Sequence, residues 1–327
     1  MKILYPISLI YQLIVELRNL LYDFKILKTY IFPIPIISIG NIVMGGTGKT
    51  PMSLWLFNQL ILKNKKPCII SRGYNRQSKD LVIIDGYDEQ WTIRDIGDEP
   101  LMMLNKNKNL KMVICHNKIK GIQSAINSLD IDIIILDDGF QSRYIYKDLD
   151  IIMMKQQKNY LFPAGYLREP ISNLKRADII IENNIISNEA IKKLCINNNI
   201  QTIHAKPTFQ LIDEKYQVIK QYDDLNTIAV CGIGDPNSFL QAIYNYNINI
   251  QEKYIVADHY NYQLKDMNNI YAKMKNKNCN AIITTWKDYY KINALNLKNK
   301  KIIILDMNLK IEDVSLLDAI NKVANDA

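Results

Sequence analysis

Short aliphatic runs recur through the first two thirds of the chain, at 34–39, 67–71, 111–115, 131–136, 149–154, 179–182 and 201–205, with mixed stretches between them. Strands alternating with helices in this way predict a mostly parallel sheet with helices on both faces, an α/β fold. The texture changes at TFQLIDEKYQVIK, 208–220, where two short alternating segments flank Asp213 and Glu214 and predict a β-hairpin. Beyond it, runs at 227–231, 250–256, 281–284 and 301–305, with helical periodicity near 238–246 and 264–275, predict a second, smaller α/β unit. The expected organisation is a first unit over 1–206, a two-stranded β linker over 207–224, and a smaller unit over 225–327 that closes on the site.

The opening stretch MKILYPISLIYQLIVELRNLLYDF has a helical period. At about 100° per residue, Ile3, Ile7, Ile10, Ile14, Leu17 and Leu21 form one stripe, and Ser8, Gln12, Glu16, Asn19 and Asp23 gather opposite. Glu16 and Arg18 interrupt the run too early for a signal peptide or a membrane span. Two destinations are open to the stripe: the protein's own core, or a membrane interface with Lys2, Arg18, Lys25 and Lys28 near lipid phosphates.

Composition bounds this picture without choosing a function. A chain of 327 residues, 48% of them apolar, can bury two moderate cores. Its 41 basic and 33 acidic residues leave a formal charge of +8, which suits an anionic partner of any kind. Cys68, Cys115, Cys195, Cys231 and Cys279 are dispersed and lack CxxC spacing, so neither a disulfide framework nor a zinc site is indicated and a reducing cytoplasm fits. Asn-Lys clusters such as 105–109 reflect compositional bias and carry no functional weight.

The sharpest chemistry lies in NIVMGGTGKTP, 41–51. Gly45, Gly46, Thr47 and Gly48 can turn backbone N–H groups toward phosphate oxygens; Lys49 adds a point charge and Thr50 a hydroxyl for Mg²⁺. Val43 stands where the general phosphate-loop spacing asks for glycine, but the order of strand, loop and amphipathic helix is the one the mechanism needs. A second requirement, acidic residues ending a core strand, is met by DIDIIILDDGFQ: one carboxylate of Asp137 and Asp138 would serve a metal, the other could orient a nucleophile. An Asp-Gly turn is the plainer use of that segment, and the upstream loop makes it the weaker one.

Three kinds of phosphate-loop protein compete. A GTPase needs an Asn/Thr-Lys-x-Asp motif, and in TTWKDYY Lys287 adjoins Asp288, out of register. A membrane-recruited partitioning ATPase shares the GG-x-GKT loop and an amphipathic helix, but its signature lysine would stand at Met44. A kinase needs groups on the acceptor side, and three clusters could supply them: Asp98 and Glu99 in IGDEPLM, Arg168 and Glu169 in FPAGYLREP, Asp258 and His259 in VADHYNY. Each has an ordinary alternative, as a helix N-terminus, a surface ion pair and a turn.

Taken together, IVMGGTGKTP, SRGYNR, GDEP, LDDGFQ, FPAGYLREP, CGIGDPNSF and ADHYNY resemble, in order and approximate spacing, the tetraacyldisaccharide 4′-kinase family of lipid A biosynthesis in Gram-negative bacteria. Departures are Tyr166 for proline, Asn75 for glycine, Trp286 for glutamate and Lys118 for arginine. The resemblance implies transfer of the γ-phosphate of ATP, with Mg²⁺, to the 4′-hydroxyl of a tetraacylated glucosamine disaccharide 1-phosphate, giving lipid IVA. It implies a peripheral enzyme on the anionic cytoplasmic side of the inner membrane, with no nucleic acid and no obligate protein partner. Carried over by residue, Lys49 meets the β- and γ-phosphates; Thr50, Asp137 and Asp138 serve the metal, joined by Glu169 on closure; Arg168 neutralises the transferred group. Asp98, working with His259, would be the base, with Asp138 as the alternative.

Overall fold

The computed structural model describes all residues except 1–3, 75, 89, 156–159, 183–188, 223, 296–300 and 326–327, so Ile3 and Lys2 of the first helix and the departure at Asn75 lie outside the described residues. The chain opens with α1 (Tyr5–Asp23), then β1 (Ile36–Gly40), α2 (Lys49–Leu62), β2 (Pro67–Ser71), β3 (Val82–Asp85), α3 (Ile93–Ile96), α4 (Asp98–Lys106), β4 (Lys111–Ile114), α5 (Lys118–Ser128), β5 (Ile133–Asp137), β6 (Leu149–Met154), β7 (Ile179–Glu182), α6 (Glu189–Asn197) and β8 (Gln201–His204). Their strands form one eight-stranded sheet in the order β3-β4-β2-β5-β1-β6-β7-β8, antiparallel only at the β3–β4 edge. Every residue of β1, β2, β5, β6 and β7 is buried, which is why these strands read as unbroken aliphatic runs. The short edge strand β3, aliphatic over Leu81–Ile84 but fully buried only at Ile84, was not among the expected strands.

The remainder contains β9 (Lys206–Ile212), β10 (Asn226–Cys231), α7 (Pro236–Tyr244), β11 (Asn249–Ile255), α8 (Leu264–Asn276), β12 (Ala281–Thr284), α9 (Trp286–Asn293), β13 (Ile302–Lys310) and α10 (Val314–Asn325). Its five strands run β11-β10-β12-β13-β9, parallel except where β13 meets β9. Two features differ from the expected division. The two arms around Asp213 and Glu214 meet in a short antiparallel turn, with Ile212 bridging Val218 and Ile219 N–H donating to Leu211 O at 2.8 Å; β9 in addition pairs along its length with β13, from Lys206 with Lys310 to Ile212 with Ile304. The two chain crossings between the units thus form one antiparallel ribbon. The region 225–327 is also not one unit, because Leu316, Ile320, Val323 and Ala324 of α10 bury into the same core as Ile151, Met153, Ile179 and Ile181 of the first sheet. A helix with an apolar face needs an apolar surface to cover, and the face of β6 and β7 offers it.

Helix α1 settles its own ambiguity. Ser8, Val15 and Asn19 are the buried positions, at 3%, 7% and 5% exposure, whereas Ile10 and Ile14 of the stripe are 60% and 61% exposed. Polar contacts hold this inverted seating: Ser8 Oγ donates to Leu161 O at 3.0 Å and accepts from Ala164 N at 3.0 Å, and Asn19 Nδ2 donates to Glu169 at 3.1 Å. Arg18 donates to Gln141 O, and Arg143 pairs with Asp23 at 2.6 Å. Among the described residues no helix is long and apolar enough to cross a membrane.

The seating of α10 on the first sheet is testable. Replacing the fully buried Ile320 by Ala should cost about 2–5 kcal/mol of folding stability, the usual range for emptying an aliphatic core position. Denaturant melts should show that loss in the transition that unfolds the first sheet; a change under about 0.5 kcal/mol would mean that α10 is not part of that core.

Candidate active site

The phosphate loop joins β1 to α2 at the carboxyl ends of the central strands, where open α/β sheets place their ligands. Gly45 and Gly48 lie at φ of 101° and 88°, a region L side chains rarely adopt, which lets the loop fold over itself before α2 starts. Asn41 Nδ2 donates to Thr47 Oγ1 at 2.8 Å across the loop. Val43 is buried and forms a β-bridge with Leu167, flanked by Met44 N–H to Tyr166 O at 2.8 Å and Arg168 N–H to Ile42 O at 2.7 Å. The departure from glycine at 43 therefore falls in a short ladder that fastens the LREP segment beside the loop, outside the glycines that face the phosphate.

That ladder delivers Arg168 to the acidic strand end. Its Nη1 lies 2.9 and 2.8 Å from the two Asp138 oxygens, and Lys49 Nζ is 3.6 Å from the same carboxylate. Burial alone would push Asp138 up, but Lys49, Arg168 and Lys118 outweigh it and bring its pKa to about 2. Asp137 is the opposite case: burial first, then the negative charge of Glu99 and Asp138, pushes it up to about 6. One of its oxygens accepts from Ser71 Oγ at 3.1 Å, and the other is buried without a hydrogen-bond partner. Lys118, pushed down to about 8 by burial, donates to the main-chain oxygens of Asp137 and Asp138 at 2.7 and 2.6 Å, so the lysine in place of arginine clamps the Asp-Asp turn.

Gly97, at φ 94°, turns the chain into α4 and puts Asp98 and Glu99 at that helix's positive end. Glu99 accepts from Thr50 Oγ1 at 2.7 Å and from Lys287, which crosses from the second unit. Asp98 is 4% exposed; its Oδ2 lies 3.3 Å from His259 Nδ1 and 3.2 Å from Lys291 Nζ, both also from the second unit. Burial raises the Asp98 pKa, and His259 with the two lysines outweighs it and holds the carboxyl well below the ordinary carboxylate range. His259 sits at φ 59°, its N–H donating to Gly232 O at 3.2 Å and its ring edge-on to Tyr74 with centroids 5.1 Å apart. The second unit also approaches the loop itself: a Cβ built on Gly234 would lie 3.4 Å from Gly46 N, and Asp235 pairs with Lys155.

Lys49, Thr50, Asp137, Asp138 and Arg168 are therefore brought together, and Asp98 with His259 is joined to them through Glu99 and Thr50. Glu169 is not. It is buried against Arg176 at 2.9 Å, Asn173 at 3.0 Å and Asn19 at 3.1 Å, which ties the LREP segment to α1, and the carboxylate beside Thr50 belongs to Glu99 instead. The expected entry of Glu169 into a metal shell was tied to closure of the units; here one of its oxygens is taken by these three side chains and the other is buried without a hydrogen-bond partner. Among the described residues no three His, Cys, Asp or Glu side chains form a ready-made cage. The unpartnered Asp137 oxygen, its raised pKa and the adjacent Glu99 and Asp138 fit a cation that brings phosphate oxygens and water as its other ligands. Lys287 and Lys291 carried no weight in the sequence, because surface lysines are common in this chain; their only signal was a one-turn spacing in WKDYYK.

Comparison with known proteins agrees with this geometry. The family model for tetraacyldisaccharide-1-P 4′-kinase matches residues 1–325. The tetraacyldisaccharide 4′-kinase of Aquifex aeolicus is 33% identical over 276 residues, covering 79% of this chain and 82% of the relative, and that of Rickettsia canadensis is 33% identical over 322 residues, covering 97% and 91%. The crystal structure of LpxK from Aquifex aeolicus in complex with ATP superposes with a TM-score of 0.79 at 29% identity, covering 98% of each chain. Matched by the family model over residues 1–325 and by relatives over nearly its whole length, the chain belongs to the tetraacyldisaccharide-1-P 4′-kinase family.

Proposed function

We propose that the protein transfers the γ-phosphate of ATP to the 4′-hydroxyl of a tetraacylated disaccharide 1-phosphate. The observation that carries the reading is the buried, ionised Asp98, held by His259 on the far side of the Thr50–Glu99 link from the phosphate loop. A hydrolytic switch of the partitioning type, the competing reading, has no use for such a carboxylate between two units, and membership of a kinase family does not favour it.

The residues divide the work. Gly45, Gly46, Thr47 and Gly48 present N–H groups to the phosphates, and Lys49 and Arg168, each now resting on Asp138, are placed to turn to the transferred group. Thr50, Asp137 and Glu99 have the donor set to hold Mg²⁺, which when bound screens the charge on the phosphates. Asp98 serves as the base from its place beside His259, across the Thr50–Glu99 link from the loop, and Asp138, paired with Lys49 and Arg168, is the alternative. A carboxylate of such low basicity suffices, because phosphoryl transfer through a loose transition state asks for orientation and late proton acceptance. His259 orients Asp98 from the second unit, so contact between the units assembles the site and limits idle hydrolysis.

The exposed stripe of α1 gives the acceptor a route to the site. An apolar face turned outward, on a helix anchored by polar contacts, suits the interface of an anionic bilayer on the cytoplasmic side, where the lipid acceptor would be met without extraction.

Incubation with γ-labelled ATP and tetraacyldisaccharide 1-phosphate should yield labelled lipid, with Lys49→Ala reducing the yield by about a hundredfold or more while leaving the melting temperature unchanged. Lipid-independent ATP hydrolysis with no labelled lipid would instead favour the switch. Asp98→Ala and His259→Ala, combined, should be little worse than the poorer single variant, because one acts through the other; multiplicative losses would assign them separate roles. Ile10→Glu with Ile14→Glu should leave folding intact and weaken flotation with anionic liposomes at least tenfold, and undiminished flotation would exclude α1 as the membrane contact.

A further inference from the structure

Helix α9 is fixed more firmly than its eight residues require. Asp288, wholly buried, accepts from Gly232 N–H at 3.0 Å, Tyr262 OH at 3.1 Å and the N-cap Thr285 hydroxyl at 2.8 Å, and so ties the start of the helix to the loop that also carries His259. Its apolar side is set by Trp286, stacked against Tyr216 and Tyr290 with centroids 4.1 and 5.4 Å apart. With both ends of the orientation fixed, positions 287 and 291 turn together toward α4. Like charges one turn apart weaken a helix, so two lysines there need a compensating partner, and they have one in the adjacent carboxylates of Glu99 and Asp98.

The two pairs are not equivalent. Lys287 completes a hydrogen bond with Glu99. Lys291 Nζ, whose side chain is 8% exposed, lies 3.2 Å from Asp98 Oδ2, yet neither atom is taken up in an aligned hydrogen bond. His259 Nδ1 is a third buried atom in the same condition, and Asp98, His259 and Lys291 line a small cavity with Tyr74, Ile93 and Asn261. Burying an ammonium ion without full hydrogen bonding costs several kcal/mol, so a lysine whose only task was packing would be replaced by an apolar residue without loss.

We infer that Lys291 is a positioning residue for phosphoryl transfer: its ammonium group, delivered by α9, holds the free Asp98 oxygen aimed into the cavity where the acceptor hydroxyl must lie. The inference rests on the reading of Asp98 as the acceptor-side base. Lys291 touches no reacting atom. It fixes the Asp98 rotamer and its charge, leaving His259 to set the other edge of the same oxygen.

Lys291→Met, of similar length and apolar, should lower kcat for the labelled-lipid reaction roughly tenfold to a hundredfold, with the KM for ATP and the melting temperature little changed. In an Asp98→Asn background, the further change Lys291→Met should add less than about twofold, since the oxygen it positions no longer serves as a base. A full additional loss in that background, or a rise in KM with kcat unchanged, would overturn the positioning role, as would wild-type turnover in Lys291→Met. Asp98→Asn alone reports on the underlying reading: near-normal turnover there would remove Asp98 as the base, whereas a crippled Asp98→Asn beside a normal Lys291→Met would remove only Lys291.

Discussion

Four carboxylates crowd the end of the first sheet, and the rest of the structure is arranged around the cost of keeping them there. Asp137 and Asp138 arrive at the end of β5, Asp98 and Glu99 on the first turn of α4, and burial, followed by repulsion from Glu99 and Asp138, pushes the Asp137 carboxyl up to about 6. Packed this closely, with Asp98 and Asp137 buried, they are tolerable only with cations at hand. The basic groups beside them come from five separate places: Lys49 from the loop, Arg168 from the ladder beside it, Lys118 from α5, Lys287 and Lys291 from α9, and His259 from the loop after β11.

This distribution links charge to architecture. Asp138 is neutralised entirely from within the first unit, and Asp98 and Glu99 mainly from the second, so the seam between the units is itself part of the electrostatic balance. Without the second unit Asp98 would have little beyond the α4 N-terminus to support it, and Glu99 would keep only that and Thr50. The β9–β13 ribbon and the return of α10 to the first core give the seam its mechanical support, since the second unit is attached at both ends of its chain. Occupancy of the phosphate loop by an anion would rearrange the same charges, because Lys49 and Arg168 must then leave Asp138 in part.

The N-terminal helix obeys a different constraint. Its polar positions are taken up by Ser8, Asn19 and Arg18 contacts to the segments 161–169 and 139–143, and this is what turns the aliphatic stripe outward. Glu169, buried among Asn19, Asn173 and Arg176, is the centre of that attachment, so the same LREP segment places Arg168 in the site and fastens the outward-facing helix.

What the sequence determined alone was whatever depends on near neighbours in the chain. Aliphatic runs marked the buried strands β1, β2, β5, β6 and β7, the glycines and Lys49 marked the loop, and ordered motifs marked the family. The pairing of β9 with β13, nearly a hundred residues on, left no such signal. Only the tertiary structure decided which face of α1 points outward, which glutamate stands beside Thr50, and why α9 carries two lysines. Glu99 and Glu169 each precede a proline and look alike in sequence; one meets Thr50 and Lys287, the other Arg176 and two asparagines. Thr50 and Lys287 lie 49 and 188 residues from their glutamate, and Asn19 lies 150 from its own, so these contacts are specified by where the backbone brings the groups, which local sequence does not encode.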